Sequence, residues 1–279
     1  MLNLQDADSL VGAGLIANLD IEAYHSGPGV SKSLLDKIDQ SPAHYLYAKA
    51  APKKDPTPAQ RIGTLAHTAI LEPHKLKTVV GPDLNKNAKE WKAFVAEAKA
   101  SGLEVVSKDE QELLEGMARS IQCHPSASWL IGTPGKVENS AYWTDPSTGL
   151  LCRCRPDKLL VTEKGLVLVD LKTTEDASEA EFSKSIENFR YHVQAAFYSD
   201  GIETVLREHV SAFVFLAVEK KAPYAVACYQ LADIDIEDGR EAYQANLFQL
   251  EECLRKNEWP GYSTRIETIT RPSWAKRRK

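Results

Sequence analysis

No stretch of this 279-residue chain approaches the roughly 18 to 20 consecutive apolar residues that a membrane span needs, so the expectation is a protein without a membrane partner. The mildly apolar run 10–19 follows Asp6 and Asp8 and contains no Lys or Arg, which leaves it without the basic start of a signal peptide. Cysteine is sparse and odd in number: Cys123, Cys152, Cys154, Cys228 and Cys253 are widely scattered. That excludes a disulfide framework and favours a reduced, cytoplasmic setting. It also speaks against a zinc hydrolase, because C-x-C at 152–154 has no second pair at finger-like spacing. An iron–sulfur site would want four clustered cysteines. The G-x-S-x-G signature of a serine hydrolase is missing as well. Nor is there an excess of positive charge, the total being −5. The distribution qualifies that total, since Arg271, Lys276, Arg277, Arg278 and Lys279 put +5 into the last nine residues and leave −10 on residues 1–270. An acidic protein can still hold DNA if its groove is locally basic and its acids bind metal.

What is present fits one large domain. Gly27-Pro28-Gly29 reads as a turn closing an irregular start. Ser31 or Ser33 then caps a helix carrying Leu34, Leu35 and Ile38, and Ser41-Pro42 opens a short one through Tyr45 and Tyr47. After a linker over 52–58, residues 59–72 predict a helix with Ile62, Leu65, Ala66, Ala69 and Ile70 on its apolar face. Two more helices are expected at about 86–100 and 107–122. From Lys136 the pattern turns to strands, at 137–143, 150–161 and 166–171, with turns at 145–149 and 163–165. A long helix over 178–206, strands at 211–218 and 224–230, and a helix over 234–256 complete the chain. The order strands, helix, strands, helix predicts an α/β core behind a helical front.

The densest chemistry lies in Cys152-Arg153-Cys154-Arg155-Pro156-Asp157 and in Leu168-Val169-Asp170-Leu171-Lys172. Side chains alternate along a strand, so Arg153, Arg155 and Asp157 are expected to share a face. Asp170 and Lys172 share one on the next strand, with Val167, Val169 and Leu171 opposite. Two carboxylates and an ammonium at neighbouring strand ends suit Mg²⁺ acting on phosphate, because Mg²⁺ needs few protein ligands and keeps its waters. Two such ions about 3.5–4 Å apart can activate water and stabilise a leaving oxygen. Lys172 is placed to orient that water and to counter charge in the transition state. Alone, D-x-K fits a strand-end ion pair far more readily. Three features add weight: Glu138 on the preceding strand, Gln194 and Tyr198 one helical turn apart, and His67 in an apolar helix four residues after Gly63. Each also has an ordinary structural reading, as a solvated edge, a helix surface and a core histidine.

In order, Gly63 and His67, Glu138, Pro156-Asp157, Asp170 and Lys172, and Gln194 and Tyr198 resemble the RecB-like branch of the PD-(D/E)xK nuclease superfamily. Longer strings are similar to the exonuclease VIII (RecE-type) nuclease domain. They are Tyr24-His25-x-Gly27-Pro28-Gly29-Val30-Ser31-Lys32-Ser33, residues 152–158, 190–201 and 213–216, Glu258-Trp259-Pro260 and Trp274-Ala275-Lys276. The likeness runs from about residue 20 to the end.

The resemblance implies a PD-(D/E)xK core with a central mixed sheet flanked by helices. The whole chain 1–279 would be one nuclease domain, with a mostly helical front over 1–135, a catalytic core over 136–258 and a basic tail over 259–279. It implies an Mg²⁺-dependent exodeoxyribonuclease (Mn²⁺ being the alternative ion) that degrades linear double-stranded DNA 5′→3′. The 3′ single-stranded tails would pass to a RecT-type annealing protein, and the enzyme would be a homotetrameric ring. Asp157, Asp170 and Lys172 would be catalytic, with Gln194 and Tyr198. Metal ligands would be His67, Asp157, Asp170, the Leu171 carbonyl and Glu138. Arg153 and Arg155 are candidates for DNA phosphate contacts, a structural ion pair being the other reading. An endonuclease, a 3′-directed nuclease and a non-catalytic DNA-end-binding protein are the alternatives; the intact acids and lysine weigh against the last.

Overall fold

A computed structural model describes residues 14–52, 55–85 and 87–272. In the front half, β1 (Gly14–Ile16) leads to α1 (Ile21–Ser26), α2 (Lys32–Gln40), α3 (Pro42–Ala50) and α4 (Pro58–Leu71). A lobe follows, made of β2 (Thr78–Val80), α5 (Lys89–Ala100) and β3 (Glu104–Val106), then α6 (Lys108–Cys123) and α7 (Pro125–Gly132). The second half runs β4 (Gly135–Val137), β5 (Ser140–Thr144), β6 (Leu151–Cys154), β7 (Lys158–Thr162) and β8 (Gly165–Thr174). After these come α8 (Glu179–Asn188), α9 (Tyr191–Leu206), β9 (Val210–Glu219), β10 (Val226–Gln230) and α10 (Asp233–Lys256).

Among these residues the main sheet has five strands in the order β10-β9-β8-β7-β4. It is mixed, because β8 and β9 are parallel while the other pairs are antiparallel. Parallel neighbours need a long crossover, and α8 with α9 supplies it. A second sheet, β1-β5-β6, is antiparallel.

β8 is buried without interruption from Leu166 to Leu171 because both faces are covered. Leu166 and Leu168 join Phe182, Phe197, Phe213 and Phe215 in one core, under α8, α9 and α10. Val167, Val169 and Leu171 join Leu65, Ala66 and Ile70 of α4 and Leu114, Met117 and Ile121 of α6 in the other. Both of those helices start with reciprocal capping boxes, Thr57 with Gln60 and Ser107 with Glu110, which satisfy amides left free in a first turn. The same alternation carries Asp170 and Lys172 on the α9 side of the sheet.

Three expected elements are broken. The helix over 178–206 is two, because Arg190 adopts a left-handed conformation with φ 51°. Its guanidinium is drawn to Asp36, Asp39 and Asn246 of α2 and α10, a pull that the local sequence does not display. The strand over 150–161 divides at Arg155-Pro156-Asp157 into β6 and β7, which belong to different sheets. Proline lacks the amide that a ladder requires. The strand over 137–143 divides at Glu138, also left-handed at φ 51°. The helices α1 and α7 and the strands β1 to β3 had no counterpart in the sequence reading. Lys276 to Lys279 and Trp274, in the basic tail, lie outside the described residues.

Candidate active site

Where β6 ends, Pro156 releases the chain from one sheet, and Asp157 stands at the entrance to the next. Its carbonyl accepts from Glu138 N at 3.0 Å, and its Oδ2 accepts from the backbone amide of Leu171 at 2.6 Å. The β8 backbone therefore fixes this carboxylate. α4, held on the opposite sheet face by Leu65, Ala66 and Ile70, brings His67 Nδ1 to 3.5 Å from the same oxygen. Glu138 arrives from the break between β4 and β5, where Arg155 Nε donates to its carbonyl at 3.0 Å and lies 3.8 Å from its carboxylate. Ligand atoms of His67, Glu138 and Asp157 all fall within 4.8 Å of one another. His67 and Glu138 border a cavity of about 1150 Å³, which Gly63 and Arg155 also line. Among the described residues a Cβ on Gly63 would meet only Thr173 Oγ1, at 3.8 Å, so none of them demands glycine there.

Asp170 and Lys172 form a second cluster through α9. Gln194 Nε2 donates to Asp170 Oδ1 at 2.5 Å, and Lys172 Nζ donates to Gln194 Oε1 at 3.1 Å. Lys172 Nζ also lies 2.6 Å from Asp170 Oδ2 and 4.5 Å above the Tyr191 ring. The approach to Oδ2 is an ion pair without hydrogen-bond geometry, which leaves that oxygen buried and lacking a hydrogen bond. Burial opposes the Lys172 charge, but Asp170, Tyr191 and Asp157 outweigh it and hold the ammonium above its ordinary pKa. The three neighbours thus favour the charged form of the lysine.

The carboxylates are under the opposite pressure. Burial, reinforced by Asp157, pushes Glu138 up to about 8 against the pull of Arg155. Burial raises Asp157 to about 6, with Asp170 adding to the shift and His67 opposing it. Two carboxylates pressed together at Glu138 and Asp157 and a nearby imidazole fit a hard divalent cation. His67, Glu138 and Asp157 are the residues placed to ligate it. Asp170 borders the group but is engaged by Lys172 and Gln194. For Leu171 the structure shows the amide in use.

Other expected residues are placed differently. Arg153 is buried, and its guanidinium donates to the carbonyls of Tyr24, His25, Gly27 and Pro28. Arg155 donates to the carbonyls of Glu138 and Leu19. Both guanidiniums lie about one ring thickness above Tyr24, at 5.0 and 4.9 Å from its centroid. Both therefore pin the N-terminal segment, Arg155 while also lining the cavity beside His67 and Glu138, and Asp157 does not share a strand face with them because β6 ends at Cys154. Tyr198 packs against Phe197 and Phe213, and no hydrogen bond reaches its hydroxyl among the described residues. Gln194 reaches the lysine; Tyr198 does not. Tyr191 takes the place beside Lys172, a contact the sequence reading missed. It sits one turn before Gln194, so helical spacing held the signal.

A family model described as a PDDEXK-like domain of unknown function (DUF3799) matches residues 31–272. Among solved structures, a candidate exonuclease from Eubacterium rectale aligns over 91% of this chain and 96% of its own, with 12% identity and a TM-score of 0.59. That similarity shows a common fold. An alkaline exonuclease from Laribacter hongkongensis aligns over 66% of this chain and 95% of its own, with 16% identity and a TM-score of 0.28, too low to bear on the fold. No curated protein matches the chain.

Proposed function

The chain belongs to the PDDEXK-like domain family, and from that premise we propose that it is a metal-dependent nuclease whose site is built on β7, β8, α4 and α9. One observation carries the reading: a buried Asp157 and Asp170 beside the Lys172 ammonium, with His67 and Glu138 completing a set of oxygen and nitrogen donors. A bound divalent ion would supply a water of lowered pKa and a counter-charge for phosphate. His67, Glu138 and Asp157 would hold it, with Asp170 and the Leu171 carbonyl as further ligands.

The rest follows from the chain's own groups. Gln194 bridges Asp170 and Lys172 and so fixes both side chains before substrate arrives. The Lys172 ammonium is held where it can donate to a non-bridging phosphate oxygen or to the attacking water. There it favours the more negative transition state over the ground state.

The RecE-type resemblance supports the finer reading. The substrate would be linear double-stranded DNA, cut 5′→3′ with Mg²⁺ by one nuclease domain, to leave 3′ tails. The homotetrameric ring and a RecT-type partner belong to the same reading. A duplex labelled separately at each 5′ and 3′ end, alongside a closed circle, tests it in Mg²⁺ and in EDTA. Early release of the 5′ label, in Mg²⁺ only and with the circle intact, is the expected result. Early release of the 3′ label overturns the polarity, and cutting of the circle overturns the exonuclease assignment.

A further inference from the structure

A line of aromatic rings leads outward from the lysine. Lys172 Nζ lies 4.5 Å above the Tyr191 ring, and Tyr191 stacks on Phe189 at 5.5 Å between centroids with an interplanar angle of 27°. Phe189 is 58% exposed. It sits in the break between α8 and α9, immediately before the left-handed Arg190. Such backbone geometry is uncommon outside glycine and persists only when the surroundings enforce it.

Here the enforcement is visible. Lys32 Nζ donates to the Phe189 carbonyl at 2.6 Å, and Lys32 is itself paired with Asp36 at 2.8 Å. Arg190 is tied at 3.1 Å to Asp36, at 3.1 Å to Asp39 and at 2.9 Å to Asn246. These contacts fix the backbone and leave the Phe189 ring outside the core. Tyr191 already stacks on buried Phe215 at 5.4 Å, so Phe189 is not needed to bury it.

We propose that Phe189 is a substrate-stacking residue, the platform for a nucleobase next to the phosphodiester that Lys172 contacts. This rests on the nuclease reading and names the part of the substrate held there. A phosphodiester flanked by a flat apolar group is what a charged lysine and an exposed ring, joined through Tyr191, would recognise together. Stacking on a ring tolerates any base, since every base has a π-face. The ring therefore suits an enzyme that advances through unrelated sequences.

The test compares wild type with Phe189→Ala, Phe189→Leu and Phe189→Trp on linear duplex, following KM and kcat separately. It also follows the quenching of 2-aminopurine in labelled duplex titrated with protein in EDTA, where no cutting intrudes. Phe189→Ala should raise KM about tenfold, keep kcat within about twofold and lose most of the quenching. Phe189→Trp should restore both, and Phe189→Leu neither. Should Phe189→Ala fail to fold, the contrast between Leu and Trp decides alone. An unchanged KM and unchanged quenching in Phe189→Ala overturns the proposal, as does full rescue by leucine, which would mean that any apolar filler suffices. A wild type that cuts no DNA overturns the nuclease reading instead, a result readable without any variant.

Discussion

At the scale of single residues, the site is a contest between burial and charge. Lys172 wins its charge because Asp170, Tyr191 and Asp157 surround it. Replacing it by alanine should lower kcat by about 10²–10³-fold, the usual loss for one preorganised charge-stabilising donor, with far-UV circular dichroism unchanged. Normal digestion by that variant would remove Lys172 from the mechanism. Glu138 and Asp157 lose the contest without a cation, and the sign of the consequence is fixed. Burial holds both acids above the ordinary carboxylate range, Glu138 up to about 8 and Asp157 up to about 6, so the folded protein binds more protons than the unfolded chain. Stability should therefore fall as pH rises from about 4.5 to 8. A divalent ion favours the ionised acids, so its stabilising effect should be larger at pH 8 than at pH 5. Melting curves in EDTA and in Mg²⁺ across that range check this, and Glu138→Gln should flatten the EDTA profile. A melting temperature in EDTA that climbs with pH would contradict the assignment. Strand alternation revealed Asp170 and Lys172 in the sequence, and helical spacing pointed to Gln194. The expected common face of Arg153, Arg155 and Asp157 did not form because the strand ends at Cys154.

Among the elements, α4 and the break between α8 and α9 carry the arrangement. α4 holds His67 against Asp157, and its first turn depends on the Thr57–Gln60 capping box. Thr57→Ala should cost about 1 kcal/mol in urea unfolding; a change below about 0.3 kcal/mol would show that packing alone maintains that end. The apolar period made α4 legible in sequence, as it did α6 and α10. The kink at Arg190 was not, because no glycine or proline marks it. The acids that draw the arginine away lie 151 to 154 residues earlier in the chain, on α2. Likewise Glu138 takes a glycine-like conformation only because Asp157 and Arg155 clasp its amide and its carbonyl.

For the molecule as a whole, β8 is the shared wall of two apolar cores, one beneath α8 to α10 and the other beneath α4 and α6. That sharing supports reading front and core as one domain and predicts one cooperative transition. Met117, 0% exposed in the second core, tests it. Met117→Ala should destabilise by about 2–5 kcal/mol, with tryptophan fluorescence and circular dichroism still melting together. Two separated transitions would split the domain. The α/β core behind a helical front was foreseeable from element order, and the mixed sheet between helices from the family resemblance. The second sheet was not, because the 150–161 pattern reads as one strand until Pro156 is seen to divide it.

Asp157 is aligned with its neighbours by the amide of Leu171, an atom shared by every residue type except proline. An alanine scan is therefore blind to this contact, and neutral drift at position 171 leaves it intact as long as the new side chain packs. Only proline, or an ester in place of the amide, would remove it. Registration of the acid is thus inherited with the strand itself, beyond the reach of most single-codon changes.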